Sequence, residues 1–218
     1  MQISQNQFSI VVLAENHNPT IINPDFCDRK SIVDPSWGWK LKGDQITTPP
    51  FAKVQYENGV TITVEFGKLQ VTDPGGSKDN MSKIREIVIK YIKELPNINY
   101  KAVGINFRSV ITNGIDSTYL KDKFLKEGPW DTKDSPLQAV GYKFNYDIDN
   151  GKIGLSIDSG TLSSDVGNTI EENPVIIIGA NFHRGFEAGA YKEIISAIEN
   201  SDRDVEKYDQ LVESLDII

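Results

Sequence analysis

The chain has 218 residues, of which 39% are hydrophobic and 25% charged, with a formal net charge of −8 and a single cysteine. Such proportions belong to a soluble globular protein long enough for one large domain or two small ones. An acidic chain without a Lys/Arg stripe releases few counterions, which argues against nucleic acid and anionic membranes as partners.

No apolar run approaches the length of a transmembrane helix, and the N-terminal MQISQNQFSIVVLAEN lacks the basic start of a signal peptide. The lone Cys27 excludes an intrachain disulfide and suits a reducing compartment, so a cytoplasmic location is expected.

Phe8 to Ala14, FSIVVLA, is apolar, β-branched and of strand length. Residues 15–50 carry many breakers and little periodicity, which predicts a long connection without regular elements. Its Phe26, Trp37 and Trp39 suggest packing against the body of the protein.

In FAKVQYENGVTITVEF, residues 51–66, Ala52, Val54, Tyr56 and then Val60, Ile62, Val64 alternate with polar residues. Pairing Tyr56 with Val60 and Val54 with Ile62 keeps that set on one face. It leaves a three-residue Glu57-Asn58-Gly59 loop with Gly59 in the left-handed position. Lys68–Thr72 continues as a strand and Asp73-Pro74-Gly75-Gly76 ends it. A helix follows, with Ser77 or Asp79 able to cap it and Pro96 to stop it. Met81, Ile84, Ile87, Val88, Tyr91, Ile92 and Leu95 form its apolar stripe.

The order then restarts. Lys101–Ile111 reads as a strand, residues 116–126 as a short helix, and the connection to Pro136 carries Trp130. GYKFNYDIDNGKIGLSID, residues 141–158, is a second hairpin. We expect Ile148 to pair with Ile153 and Phe144 with Ile157, about an Asn150-Gly151 turn. A polar loop is expected from Ser159 to Asn173, followed by a near-continuous apolar strand, Pro174–Phe182, of the doubly covered kind. The closing apolar series from Tyr191 to Leu215 is interrupted at Asn200-Ser201-Asp202. Two helices, the second capped by Ser201, or one helix with a kink there, are expected. From Tyr191 onward there are three basic residues (Lys192, Arg203, Lys207) and eight acidic ones, read first as the solvated face of a helix and second as a surface for a basic or neutral protein partner.

These elements predict an α+β fold: an antiparallel sheet of about eight strands with helices packed on one face. We expect a single domain over 1–218, made by duplication of a β-β-β-β-α unit with halves 1–97 and 98–218. The other sheet face would show Lys53, Gln55, Thr61, Thr63, Glu65, Lys143, Asn145, Asp147, Ser156 and Asp158 to water. The layout resembles the duplicated saddle platforms of TATA-binding proteins and of histocompatibility peptide-binding domains, in arrangement only. Asn18-Pro19, Pro24-Asp25-Phe26 and Gly104-Ile105-Asn106-Phe107 resemble short pieces of a sporadically distributed group of uncharacterised bacterial proteins. That resemblance implies a bacterial protein and brings no activity with it.

Residue patterns for chemistry are sparse. His17 and His183 stand alone, there is no Cys-x-x-Cys or nucleophile elbow, and Asp73–Lys78 lacks the spacing of a phosphate-binding loop. We therefore expect no catalytic residue, metal or cofactor. The expectation is a non-catalytic protein-binding or adaptor protein, with a protein partner or a homo-oligomer, touching through Trp37, Trp39 and Trp130. The alternative is a small-ligand-binding protein or enzyme with His183, Arg184 and Glu187 at the end of the last strand. There His183 would act as a base and Arg184 as an anion clamp.

Overall fold

The computed structural model describes residues 2–112, 115–116, 118–166, 169–187 and 189–217, with the side chains of 2–6, 164–166 and 169–171 set aside. Nine strands form one antiparallel sheet: β1 (Gln2–Glu15), β2 (Ile46–Thr47), β3 (Phe51–Gln55), β4 (Thr61–Glu65), β5 (Lys68–Asp73), β6 (Asn99–Thr112), β7 (Gly141–Ile148), β8 (Gly151–Val166) and β9 (Thr169–Gly185). Their order across the sheet is β2-β3-β4-β5-β1-β6-β9-β8-β7. The helices are α1 (Pro24–Arg29), α2 (Lys78–Glu94), α3 (Tyr119–Phe124), α4 (Tyr191–Glu199) and α5 (Asp202–Ser214). The fold is therefore the expected α+β layering, with one strand more than anticipated. That strand is the two-residue β2, within a connection read as lacking elements. The same connection also holds α1 and two short 3-10 turns, each entered through an Asn or Asp side chain that accepts a backbone N–H.

Alternation dictates the layering. Val54, Ile62, Val71, Ile10, Ile105, Phe182, Ile153 and Tyr146 stand side by side across eight consecutive strands. The first seven are buried, so one apolar stripe crosses nearly the whole sheet. Helices α2, α4 and α5 pack against β1 and β5, β6, and β9 respectively. In α2, Ser77 is the N-cap, accepting the Asn80 N–H at 3.2 Å. Ile84, Ile87, Val88 and Ile92 are fully buried, each contributing about 2 kcal/mol of transfer free energy. One hydrophobic cluster runs through both halves, from Val54 to Ile157, with Phe144 packed against it.

The first hairpin has the expected register, Val54 opposite Ile62 and Ala52 opposite Val64, with Gly59 at φ 90°. The second is displaced by two residues: Ile148 pairs with Gly151, Tyr146 with Ile153 and Phe144 with Leu155. Its turn is Asp149-Asn150, with Asn150 at φ 60°. A slip of two keeps every side chain on its face, so the apolar pattern could not exclude it. Gly151 serves another purpose. A Cβ there would lie 2.2 Å from the His183 carbonyl oxygen, so glycine admits the neighbouring strand.

Two further expectations are corrected. Most of the supposed loop 159–173 is strand: β8 and β9 pair continuously out to Val166 and Thr169, with 167 and 168 outside the described residues. From Ile176 onward β9 is also covered on one face only, although Val175 before it is buried in the opposite phase. Ile176, Ile178 and Phe182 are buried on the helix side, while Ile177 and Asn181 take the opposite phase. At the C-terminus the chain does divide into two helices, but Ser201 makes no side-chain cap. Its buried hydroxyl donates to the Ile198 carbonyl at 2.7 Å instead.

Candidate functional site

The sheet face away from the helices is a candidate surface. Along it Gln55, Thr61, Thr72, Ser9, Asn106, Asn181, Gly154 and Asn145 form one register row across eight strands, parallel to the apolar row behind it. Seven inter-strand steps make this row about 34 Å long. Every member is small or uncharged. The next row, two residues along each strand, reads Gln7, Arg108, Gly179, Ser156, Lys143.

Where these rows cross β6, β9, β8 and β7 the surface sinks into a groove of about 650 Å³, bordered by Ser9, Asn106, Arg108, Lys143 and Asn181. The amides are organised from the backbone outward. Asn106 Nδ2 donates to the Ser9 and Gly104 carbonyls at 3.4 and 3.3 Å, and its Oδ1 accepts from Asn181 Nδ2. Glycines make room for them. A Cβ at Gly104 would stand 3.2 Å from Asn181 Nδ2, and one at Gly179 would stand 3.1 Å from the Ser156 hydroxyl. Among the described residues the Asn181 Oδ1, which can only accept, and the Asn145 amide and Ser156 hydroxyl, which can donate and accept, have no side-chain partner and can meet a ligand. Three bases on the rows around the groove, Arg108, Lys143 and Lys152, face two acids, Asp147 and Asp158. The excess acid of the chain therefore lies elsewhere, much of it on α4 and α5.

The candidate ligand residues are dispersed. β9 runs on through Gly185, so His183 and Arg184 are consecutive strand residues on opposite faces. His183 sits exposed on the uncovered face between Gly104 and Lys152. Arg184 points to the helix side, where it forms a two-armed ion pair with Asp204 of α5 at 2.8 and 2.6 Å. Glu187 is exposed beyond the strand. Arg184 borders a larger cleft of about 1150 Å³ between the β7–β8 turn and α4–α5. Lys192, Arg203 and Lys207 line it, but Asp147, Asp149, Glu193 and Asp204 do too, so it is no concentrated anion trap.

The tryptophans separate as well. Trp37 and Trp39 pack on each other with ring centres 5.0 Å apart, Trp39 lies against Tyr56, and Lys83 and Lys90 hang over Trp37. Both are half-buried, as an aromatic clamp holding the long connection to the body. Trp130 alone is strongly exposed, at 54%.

Other reactive groups are inward-facing. Cys27 is buried and its thiol is pushed up to about 12 by desolvation, so it carries no thiolate at neutral pH. The Asp73 carboxylate accepts the backbone N–H groups of Gly75 and Ser77 at 3.1 and 3.3 Å, occupying the loop before α2 that an anion would need. Among the described residues no three His, Cys, Asp or Glu side chains converge as metal ligands. No described helix is long and apolar enough to cross a membrane.

Comparison with family models, curated proteins and solved structures finds no match to this chain. The uncovered face therefore stands on its own chemistry. Reading the sequence missed its centre, Asn106 and Asn181, because both lie in strands whose apolar residues dominate the pattern. The available signal was their phase: each is flanked on both sides by residues of the buried stripe.

Proposed function

We propose that this is a non-catalytic protein-binding protein whose contact surface is the uncovered face of its sheet. The observation that supports it is the eight-strand row of uncharged residues, all polar but Gly154, deepening into the Asn106–Asn181 groove. Amide and hydroxyl side chains held at sheet spacing present both donors and acceptors, which suits a partner offering peptide groups more than one offering charge. We further read residues 1–97 and 98–218 as copies of one unit. In support, the order β3-β4-β5-β1 is mirrored by β7-β8-β9-β6 about the β1–β6 junction, with a helix following each half.

The test is a photo-reactive amino acid placed at Asn181 or Arg108 in the source cells, with Glu206 on the exposed side of α5 as the comparison site. A discrete adduct is expected from the two sheet positions and not from Glu206, with an added mass different from that of a second copy. Adducts confined to Glu206, or absent from all three positions, refute the reading.

A further inference from the structure

The two edges of the sheet differ. One ends in β2, two residues long, the kind of short strand that blunts an edge. The other is β7, eight residues without proline or bulge, hydrogen-bonded on one side only. The Asp149-Asn150 turn closes on the pair Ile148–Gly151, so the even-numbered residues of β7 direct their backbone groups to β8. Residues 143, 145 and 147 direct theirs outward, where the described residues provide no partner. On the helix side of the same strand Tyr142, Phe144 and Ile148 are half-buried and Tyr146 is 37% exposed.

We infer that β7 pairs antiparallel with β7 of a second copy of this chain, about a two-fold axis through Asn145. Pairing parity restricts an antiparallel partner strand to outward-facing odd residues. Among the self-pairings that meet this condition, centring on Asn145 overlaps residues 142–148 completely. Lys143 then stands opposite Asp147 of the second copy, and Asp147 opposite its Lys143, giving two cross-strand ion pairs on the uncovered face. On the helix face Phe144 meets Tyr146 and Tyr142 meets Ile148, each twice. Opposite charges and aromatic pairs are the combinations that favour a strand pair. Centring two residues earlier would instead place Lys143 against Lys143. The interface is isologous and closed, so it ends at two copies. The two uncovered faces would join into one continuous surface. The pairing is independent of what binds that surface, and a failure of either reading leaves the other intact.

The experiment is sedimentation equilibrium across a concentration series, with the full chain and four variants. The wild type is expected to pass from 24.3 kDa toward twice that mass. Asn145→Pro removes an outward N–H that the monomer does not use and should hold the chain at the monomer mass. Lys143→Asp faces two carboxylates against each other twice and should raise the dimer dissociation constant about tenfold. Lys143→Asp combined with Asp147→Lys should recover most of that loss, and it decides the matter if the proline variant does not fold. Asn145→Cys should oxidise to a covalent dimer, since a hydrogen-bonded antiparallel pair holds its Cα atoms about 5.5 Å apart, within disulfide reach. The native Cys27 is buried and will not compete. A wild type that stays at 24.3 kDa throughout overturns the proposal and leaves the edge to a strand of another protein. So does a dimer indifferent to Lys143→Asp, or one that the charge exchange fails to restore.

Discussion

Acid should unfold this protein earlier than its carboxylates alone would, and the cause is His17. The ring is 1% exposed, between Tyr91 and Tyr100. Nδ1 lies 3.0 Å from the Tyr91 hydroxyl, and Nε2 makes no hydrogen bond of ordinary geometry. Burial lowers its pKa from 6.5 to about 4, and the weak pull of the Val12 backbone toward the charged form does not offset this.

Above pH 6.5 the imidazole is neutral in both the folded and the unfolded chain, so nothing is lost there. As the pH falls below 6.5 the unfolded chain takes up a proton that the folded one refuses, and stability declines until the folded ring protonates near pH 4. At 1.36 kcal/mol per pH unit the loss from this one residue is about 2 kcal/mol at pH 5 and about 3 kcal/mol at pH 4. The assay is urea unfolding of the wild type and His17→Gln at pH 7 and pH 5. Whatever the substitution costs at pH 7, the wild type should lose about 2 kcal/mol more than the variant between the two values. Equal losses in the two proteins would refute the account, as would a His17 titration near 6.5 followed by NMR in the folded state.

Three other measurements probe separate parts of the fold. Asp204→Ala strands the Arg184 guanidinium, 17% exposed, beneath α5 and should cost about 3 kcal/mol in urea unfolding. Gly151→Ala brings a methyl against the His183 carbonyl and should lower stability by about 2 kcal/mol, visible as a drop in Tm. Because Trp37 and Trp39 are clamped together while Trp130 is exposed, Trp130→Phe should remove the fraction of fluorescence that acrylamide quenches fastest.

The order of legibility follows the range of the forces. Val54, Ile62 and Val64 announce their face because alternation is a property of each strand alone, and α2 is legible because its stripe and cap lie within one short stretch, Ser77 to Leu95. The second hairpin was legible in its face and not in its register, since Asn150 and Gly151 both tolerate turn geometry and only β9 decides between them. His183 and Arg184 part to opposite faces for a related reason. A connection was expected where strand continues, and in a strand neighbours part to opposite faces.

The sequence by itself determined which side chains seek the interior, where the chain turns tightly, and that helices must roof one side of an antiparallel sheet. Only the tertiary structure decided which strands lie together. From that order came the row running from Gln55 to Asn145, the groove at Asn106 and Asn181, and the bare edge at β7. Periodicity records how each residue meets water or core, a local matter. Strand order depends on contacts between segments far apart in the chain, such as Ser9 and Asn106, 97 residues apart, and Asn106 and Asn181, 75 apart, and no short stretch of chain encodes those.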